Sequence, residues 1–110
     1  MPHPYSLACV FPSKGQAIKT FQVLRDLIYR EKTNELSVYR LYHQRQWYVI
    51  VVGDQPGPDL HRRVHELLHQ HKGRGASLPD GLIEQLRKRR VQQLQGGKTW
   101  VEYRAKQPWE

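Results

Sequence analysis

Four histidines lie within the fifteen-residue stretch HRRVHELLHQHKGRG, residues 61–75, and histidine is a common zinc ligand. His61, His65 and His69 follow each other at four-residue steps, so a helix would place them in a slanting row. One such pair can chelate zinc, but no cysteine or carboxylate is placed as a further ligand. Glu66 does not stand between two histidines as it would in a helical zinc protease. We therefore predict a solvated row that holds no metal, and we expect no cofactor.

The basic run RKRR, residues 87–90, is a possible nucleic-acid contact. Four consecutive helical residues spread over about three-quarters of a helix circumference, so they cannot form one surface. Arg90 falls near the apolar stripe of its helix, where its stem can pack while its guanidinium reaches outward. The other three would face solvent and could contact phosphates together with cations of nearby loops. The residues predicted to contact phosphate are Arg74, Arg87, Lys88, Arg89 and Lys98.

The net charge of the chain is +8 and is unevenly distributed. Residues 1–60 hold seven basic and five acidic side chains, a net of +2. Residues 61–110 hold eleven basic and five acidic side chains, a net of +6. Such an excess favours DNA or RNA as a partner. The alternative is that the charge only keeps the protein in solution and that the partner is another protein.

The sequence contains no constellation typical of an enzyme. No serine or cysteine lies in a nucleophile elbow, and the ten acids are scattered rather than clustered as in metal-dependent nucleases. A remote alternative is a tautomerase-like enzyme that uses Pro2 as its base after removal of Met1. In PHPYS, however, Pro4 intervenes before the first strand begins. We therefore predict a protein without catalytic residues.

The hydrophobic pattern predicts a single domain, residues 1–110, that contains four strands and three helices. Short apolar runs bounded by prolines, glycines or polar clusters indicate the strands. Apolar residues at three- and four-residue steps indicate the helices, with Ser13 as the N-cap of the first. We expect strands at about 5–11, 35–43, 46–53 and 99–104, and helices at about 16–32, 58–72 and 79–95.

The resulting order, β-α-β-β-α-α-β, matches a ferredoxin-like α+β sandwich with one additional helix in its second crossover. This architecture is a four-stranded antiparallel sheet with its helices on one face. The runs Leu7–Phe11 and Trp47–Val52 are apolar throughout and are predicted to lie side by side in the middle. The other two strands carry charged residues, which suits the edges of a sheet.

The third strand is apolar on both of its sides, although helices are expected on one face only. An uncovered apolar sheet face usually marks an interface. We therefore predict a homodimer through Trp47, Val49 and Val51. The alternatives are that another protein docks on this face or that the C-terminal tail with Trp109 folds across it.

RNA-recognition domains share the β-α-β-β-α-β order, but their third strand carries small residues and stacking aromatics. The third-strand stretch RQWYVIVV has no small residue, and Val49 takes the place of an aromatic one. We therefore see no match to that domain.

The compartment expected from the sequence is the cytoplasm. The single cysteine, Cys9, cannot form an internal disulfide and lies in an apolar run. No window approaches the eighteen apolar residues of a membrane span, so we expect no membrane partner.

Overall fold

The computed structural model describes residues 4–31 and 36–95, which form an α+β fold with a four-stranded antiparallel sheet and three helices. This confirms the predicted α+β class with a four-stranded antiparallel sheet and three helices. The elements in chain order are β1 (Pro4–Phe11), α1 (Lys14–Arg30), β2 (Leu36–His43), β3 (Gln46–Asp54), α2 (Pro58–Gln70), β4 (Arg74–Gly75) and α3 (Asp80–Gln95).

The strand order across the sheet is β2-β3-β1-β4, so β1 and β3 lie in the middle. They pair antiparallel along their full length, with Leu7 opposite Val51 and Phe11 opposite Trp47. The two apolar runs are therefore neighbours, as predicted. Strands buried on both faces have apolar side chains at successive positions, which explains why neither run alternates with polar residues.

The β2–β3 connection is a two-residue hairpin turn, Gln44-Arg45, flanked by the pair His43 and Gln46. Both turn residues have positive φ angles, 50° and 64°. Such turns match the twist of the flanking strands, although they usually contain glycine or asparagine. The tight turn fixes the register of the hairpin, and Tyr42 consequently lies directly opposite Trp47.

The fourth strand differs from the prediction. It consists of Arg74 and Gly75, which pair with Val10 and Cys9 immediately after α2. Backbone hydrogen bonds form it, including one from the Ala76 N–H to the Ala8 carbonyl at 3.0 Å. Because a two-residue Arg-Gly strand has no apolar pattern, the sequence predicted a loop there. The predicted strand at 99–104 lies outside the described residues.

One face of the sheet is covered by α1 and α2. The helix α1 begins after Ser13, whose hydroxyl accepts a hydrogen bond from the Gln16 N–H at 3.2 Å, as predicted for an N-cap. Its buried side chains recur at three- and four-residue steps and pack on the sheet together with those of α2. The buried helical residues on this face are Ala17, Thr20, Phe21, Leu24, Leu27, Ile28, Val64 and Leu68.

The opposite face of the sheet is covered by α3, so the prediction of helices on one face only is wrong. Leu86 is buried there in a cluster with sheet residues such as Ile50 and Val52, and Leu82 and Ile83 pack against it. This short apolar stripe gives the second face of β3 the cover that its apolar side chains require.

The predicted interface is not available for a partner. Val49 and Val51 are fully buried beneath α1 and α2, and Trp47 is partly buried against the same cluster. A docked protein would have to displace these helices to reach the two valines. The prediction of an open interface is therefore wrong for Val49 and Val51, whereas Trp47 is only partly covered.

Candidate nucleic-acid interface

The basic run on α3 divides into two exposed and two anchored side chains. Lys88 and Arg89 are exposed. Arg87 is half-buried, donates a hydrogen bond to the Gly53 carbonyl at 3.3 Å, and lies 3.7 Å from a Glu84 carboxylate oxygen. The guanidinium of Arg87 is thus occupied by contacts within the fold, and only the other two residues are presented to a ligand.

Arg90 has its guanidinium inside the protein rather than at the surface. It is 8% exposed, and its Nε–H donates to the Ser37 hydroxyl oxygen at 3.0 Å. The sequence correctly placed Arg90 beside the apolar stripe but wrongly directed its guanidinium outward. The hydrogen bond joins α3 to the beginning of β2, so Arg90 has a structural role rather than a place on the binding surface.

Arg74 is exposed on β4, far along the sheet from these α3 contacts. It pairs with Val10, which in turn pairs with Tyr48 near the β2–β3 turn. Arg87 contacts Gly53 at the opposite end of β3. Arg74 therefore lies at the other end of the sheet from the Arg87 contact, and Lys98 lies outside the described residues.

The histidines of the row at residues 61, 65 and 69 contact one another and neighbouring groups of the fold. The ring centroids of His61 and His65 are 6.2 Å apart, and those of His65 and His69 are 4.4 Å apart. His61 Nδ1 lies 2.7 Å from the Tyr5 hydroxyl, and His69 Nδ1 lies 3.0 Å from the Gly73 carbonyl oxygen. Within residues 4–31 and 36–95, no three His, Cys, Asp or Glu side chains are grouped so that they could hold a metal ion.

Tyr5 and Cys9 are buried groups with raised pKa values. Burial raises the pKa of Tyr5 to about 12, so its phenol keeps its proton near neutral pH. Burial also raises the pKa of the Cys9 thiol, which lies in the core beneath the helices. Neither group is therefore activated as a nucleophile or base. Pro2, the residue of the tautomerase alternative, lies outside the described residues.

A cleft of about 540 Å³ lies between β1 and α3. Small side chains such as Ser6 and Ala8 form its floor, while Glu84 and Arg87 line its rim. These two charges form an ion pair with each other. The cleft is therefore a gap between β1 and α3 in which the charges of Glu84 and Arg87 neutralise each other.

The structure also assembles an aromatic and cationic surface that the sequence did not predict. We call it the hairpin cluster and define it as Lys14, Arg40, Tyr42 and Trp47. The Tyr42 and Trp47 rings are 4.9 Å apart and tilted by 44°. The Lys14 ammonium lies 5.6 Å from the Trp47 ring centroid, and the Arg40 guanidinium lies 5.9 Å from it. Both distances are within the range of cation–π attraction.

The sequence segments that form the hairpin cluster contain basic residues and no acidic ones. Residues 4–25 and 36–53, which include all of β1, β2 and the first two-thirds of α1, contain five lysines or arginines and no acid. The net charge of residues 1–60 does not show these acid-free segments, because the acids of residues 1–60 lie at 26–35 and 54–59. A charge count over shorter windows of the sequence does show them.

The fold and its surfaces define a small basic α+β domain, with exposed cations on α3 and β4 and an aromatic and cationic cluster at the hairpin. Within the described part of the chain, no helix is long and apolar enough to cross a membrane. Comparisons with protein-family models, with curated proteins and with solved structures found no match.

Proposed function

We propose that this protein is a non-catalytic domain that binds nucleic acid through contacts to phosphates. The observation that carries the proposal is the distribution of exposed cations. Arg74, Lys88 and Arg89 are exposed and form no ion pair within residues 4–31 and 36–95. By contrast, Arg62 and Arg63 are paired with Glu66 and Glu31. Exposed cations without acidic neighbours are available to replace the counterions of a phosphate backbone.

The fold supports a ferredoxin-like assignment, which we include in the proposal. From β1 to β4 the described chain has the order β-α-β-β-α-β, and its sheet has the order β2-β3-β1-β4. Both are features of the ferredoxin-like sandwich. In this assignment α3 is an addition after β4 that covers the second sheet face. The single buried thiol, Cys9, also favours a reducing compartment such as the cytoplasm.

The alternative function is a protein-interaction or homodimerisation module that uses the sheet face. It was motivated by an apolar face without a cover. In the structure α3 covers that face, and the first face lies beneath α1 and α2. The sheet therefore has no uncovered apolar face in the described residues to support this alternative, whereas the exposed cations still support nucleic-acid binding.

Replacing Lys88 and Arg89 together with glutamine is expected to reduce the salt dependence of binding. Each phosphate contact contributes about −0.7 to the slope of log K against log salt for a single strand and about −0.9 for a duplex. Loss of two contacts should therefore make the slope shallower by about 1.5. Fluorescence anisotropy with a labelled oligonucleotide, titrated at several salt concentrations, measures this slope.

The matched control is the double variant Arg62→Gln, Arg63→Gln, which removes the same charge from cations that are already paired. Its slope should remain close to that of the unmodified protein. Equal changes in both double variants would show that only net charge matters and would remove Lys88 and Arg89 from the site. Absence of binding to any oligonucleotide at low salt would refute the proposed function.

A further inference from the structure

The hairpin cluster has the components of a base-stacking site. Tyr42 is 53% exposed although it lies beside a second aromatic ring. It occupies β2, an edge strand, next to the turn, where an incoming planar group meets no further strand. An exposed aromatic ring that is held in place by a neighbouring ring is a platform on which a nucleobase can stack.

The charges around the rings select the kind of planar ligand. Lys14 and Arg40 lie beside Trp47, and Arg45 is exposed in the adjoining turn. Aromatic sites for quaternary ammonium ligands attract a cation to the ring faces, and these three cations would repel it. The absence of acids from residues 36–53 strengthens that repulsion. A planar group with a negatively charged neighbour, as in a nucleotide, suits the cluster.

The arrangement of the cations favours a strand over a single nucleotide. Lys14 lies at the start of α1 and Arg45 lies in the β2–β3 turn, so two separate elements supply the cations beside the ring pair. Two cations on different elements can each contact one of the successive phosphates of a strand. Arg74 pairs with Val10 and so shares the sheet face of Val10 and Tyr48, which is the face that α3 covers. A base in a duplex has its faces covered by its neighbours, whereas a base in a single strand is free to stack on a side chain.

We propose that the hairpin cluster binds single-stranded nucleic acid by stacking an unpaired base on Tyr42, which the neighbouring Trp47 ring holds in place. Neighbouring phosphates lie against Lys14 and Arg45. This inference rests on the proposed function for its class of ligand, but it assigns a different surface. Lys88 and Arg89 lie on α3, which contacts Gly53 and Ser37 at the other end of the sheet.

The test compares two strands of equal charge that differ only in their bases. One is an oligothymidylate about twelve nucleotides long, and the other is an abasic phosphodiester strand of the same length. At fixed salt, the unmodified protein should bind the oligothymidylate about 5- to 150-fold more tightly, which is the range expected for stacking of one base. Tyr42→Ser should bring this ratio close to one.

Two controls separate stacking from other effects. Tyr29→Ser replaces a tyrosine that is 58% exposed on α1 and should leave the ratio unchanged. With Trp100 and Trp109 replaced by phenylalanine, Trp47 is the sole tryptophan, and its fluorescence should be quenched by the oligothymidylate but not by the abasic strand. Thymidine monophosphate at the same concentration of phosphate should not displace the strand.

The outcomes distinguish this inference from the proposed function. If both strands bind equally well and Tyr42→Ser changes nothing, base stacking is refuted while phosphate binding stands. If neither strand binds at low salt, both proposals fail. Full displacement of the strand by thymidine monophosphate would show that a single nucleotide is the ligand and would overturn the assignment to a strand.

Discussion

Replacing Gly73 by alanine is expected to lower the free energy of unfolding by about 3 kcal/mol, because the added methyl group has no room. A Cβ at this position would collide with the Leu68 carbonyl oxygen and would lie 2.7 Å from Cζ of Phe11. The carbonyl belongs to the backbone of α2, and Phe11 is buried, so neither can move aside without wider rearrangement. Equilibrium unfolding in urea measures the change.

Gly75→Ala provides the matched control for this prediction. A Cβ at residue 75 would have no atom within 4 Å, and the change should therefore alter stability by less than about 0.5 kcal/mol. The two glycines flank Arg74, so the comparison isolates the close approach of the α2–β4 connection to Phe11. Equal effects at the two positions would contradict the packing that sets β4 beside β1.

Leu86→Ala is expected to destabilise the protein by about 2–4 kcal/mol, because it opens a cavity between α3 and the sheet. Leu86 is 3% exposed and lies in the cluster that contains Tyr39, Ile50 and Val52. Val91→Ala, on the same helix, removes carbon from a side chain that is 47% exposed and should have an effect within about 0.5 kcal/mol. Chemical denaturation of the two variants under the same conditions gives the comparison.

This second comparison tests whether α3 covers the sheet. If Leu86→Ala were as mild as Val91→Ala, the helix would not be packed on the sheet, and the second sheet face would be exposed. That exposed face would then again be a candidate surface for a homodimer. A large loss at Leu86 is expected, because it is the most buried apolar side chain among residues 81–92 of α3.

The central strands were predictable because the hydrophobic pattern of their sequences indicates burial on both faces. Both Leu7–Phe11 and Trp47–Val52 are apolar at successive positions, which is typical of strands covered on both faces. The same pattern also predicts that both faces of the sheet are covered. A strand that is apolar on both sides needs packing partners on both faces, and α3 packs on the second face. Helical periodicity identified the apolar stripe of α3, but it carries no information on which sheet face that stripe meets.

The fourth strand and the orientations of two arginines were not predictable from local pattern. The strand β4 contains one arginine and one glycine, and it exists because the edge of β1 offers backbone hydrogen bonds. Arg87 and Arg90 point to Gly53 and Ser37, residues far away in sequence. Such contacts depend on how the layers meet, so the exposure of Lys88 and Arg89 could be predicted while the anchoring of their neighbours could not.

Part of the hairpin cluster was within reach of sequence reasoning. A turn of two residues between His43 and Gln46 sets Tyr42 opposite Trp47, because pairing continues outward from the turn. The predicted strands at 35–43 and 46–53 leave this two-residue connection, although Gln44 and Arg45 adopt positive φ angles without glycine or asparagine. The approach of Lys14 is a tertiary contact between α1 and β3, which no local pattern contains.

The central claim, that the protein binds an unpaired strand at the hairpin, is tested most directly by nuclear magnetic resonance. A ¹⁵N-labelled sample titrated with oligothymidylate should show its largest amide shifts in residues 42–47, together with a shift of the Trp47 indole N–H. A smaller set of shifts is expected at Lys88 and Arg89. Shifts confined to α3 would contradict the hairpin site and leave only the phosphate contacts of Lys88 and Arg89, and no shifts at all at low salt would contradict both proposals.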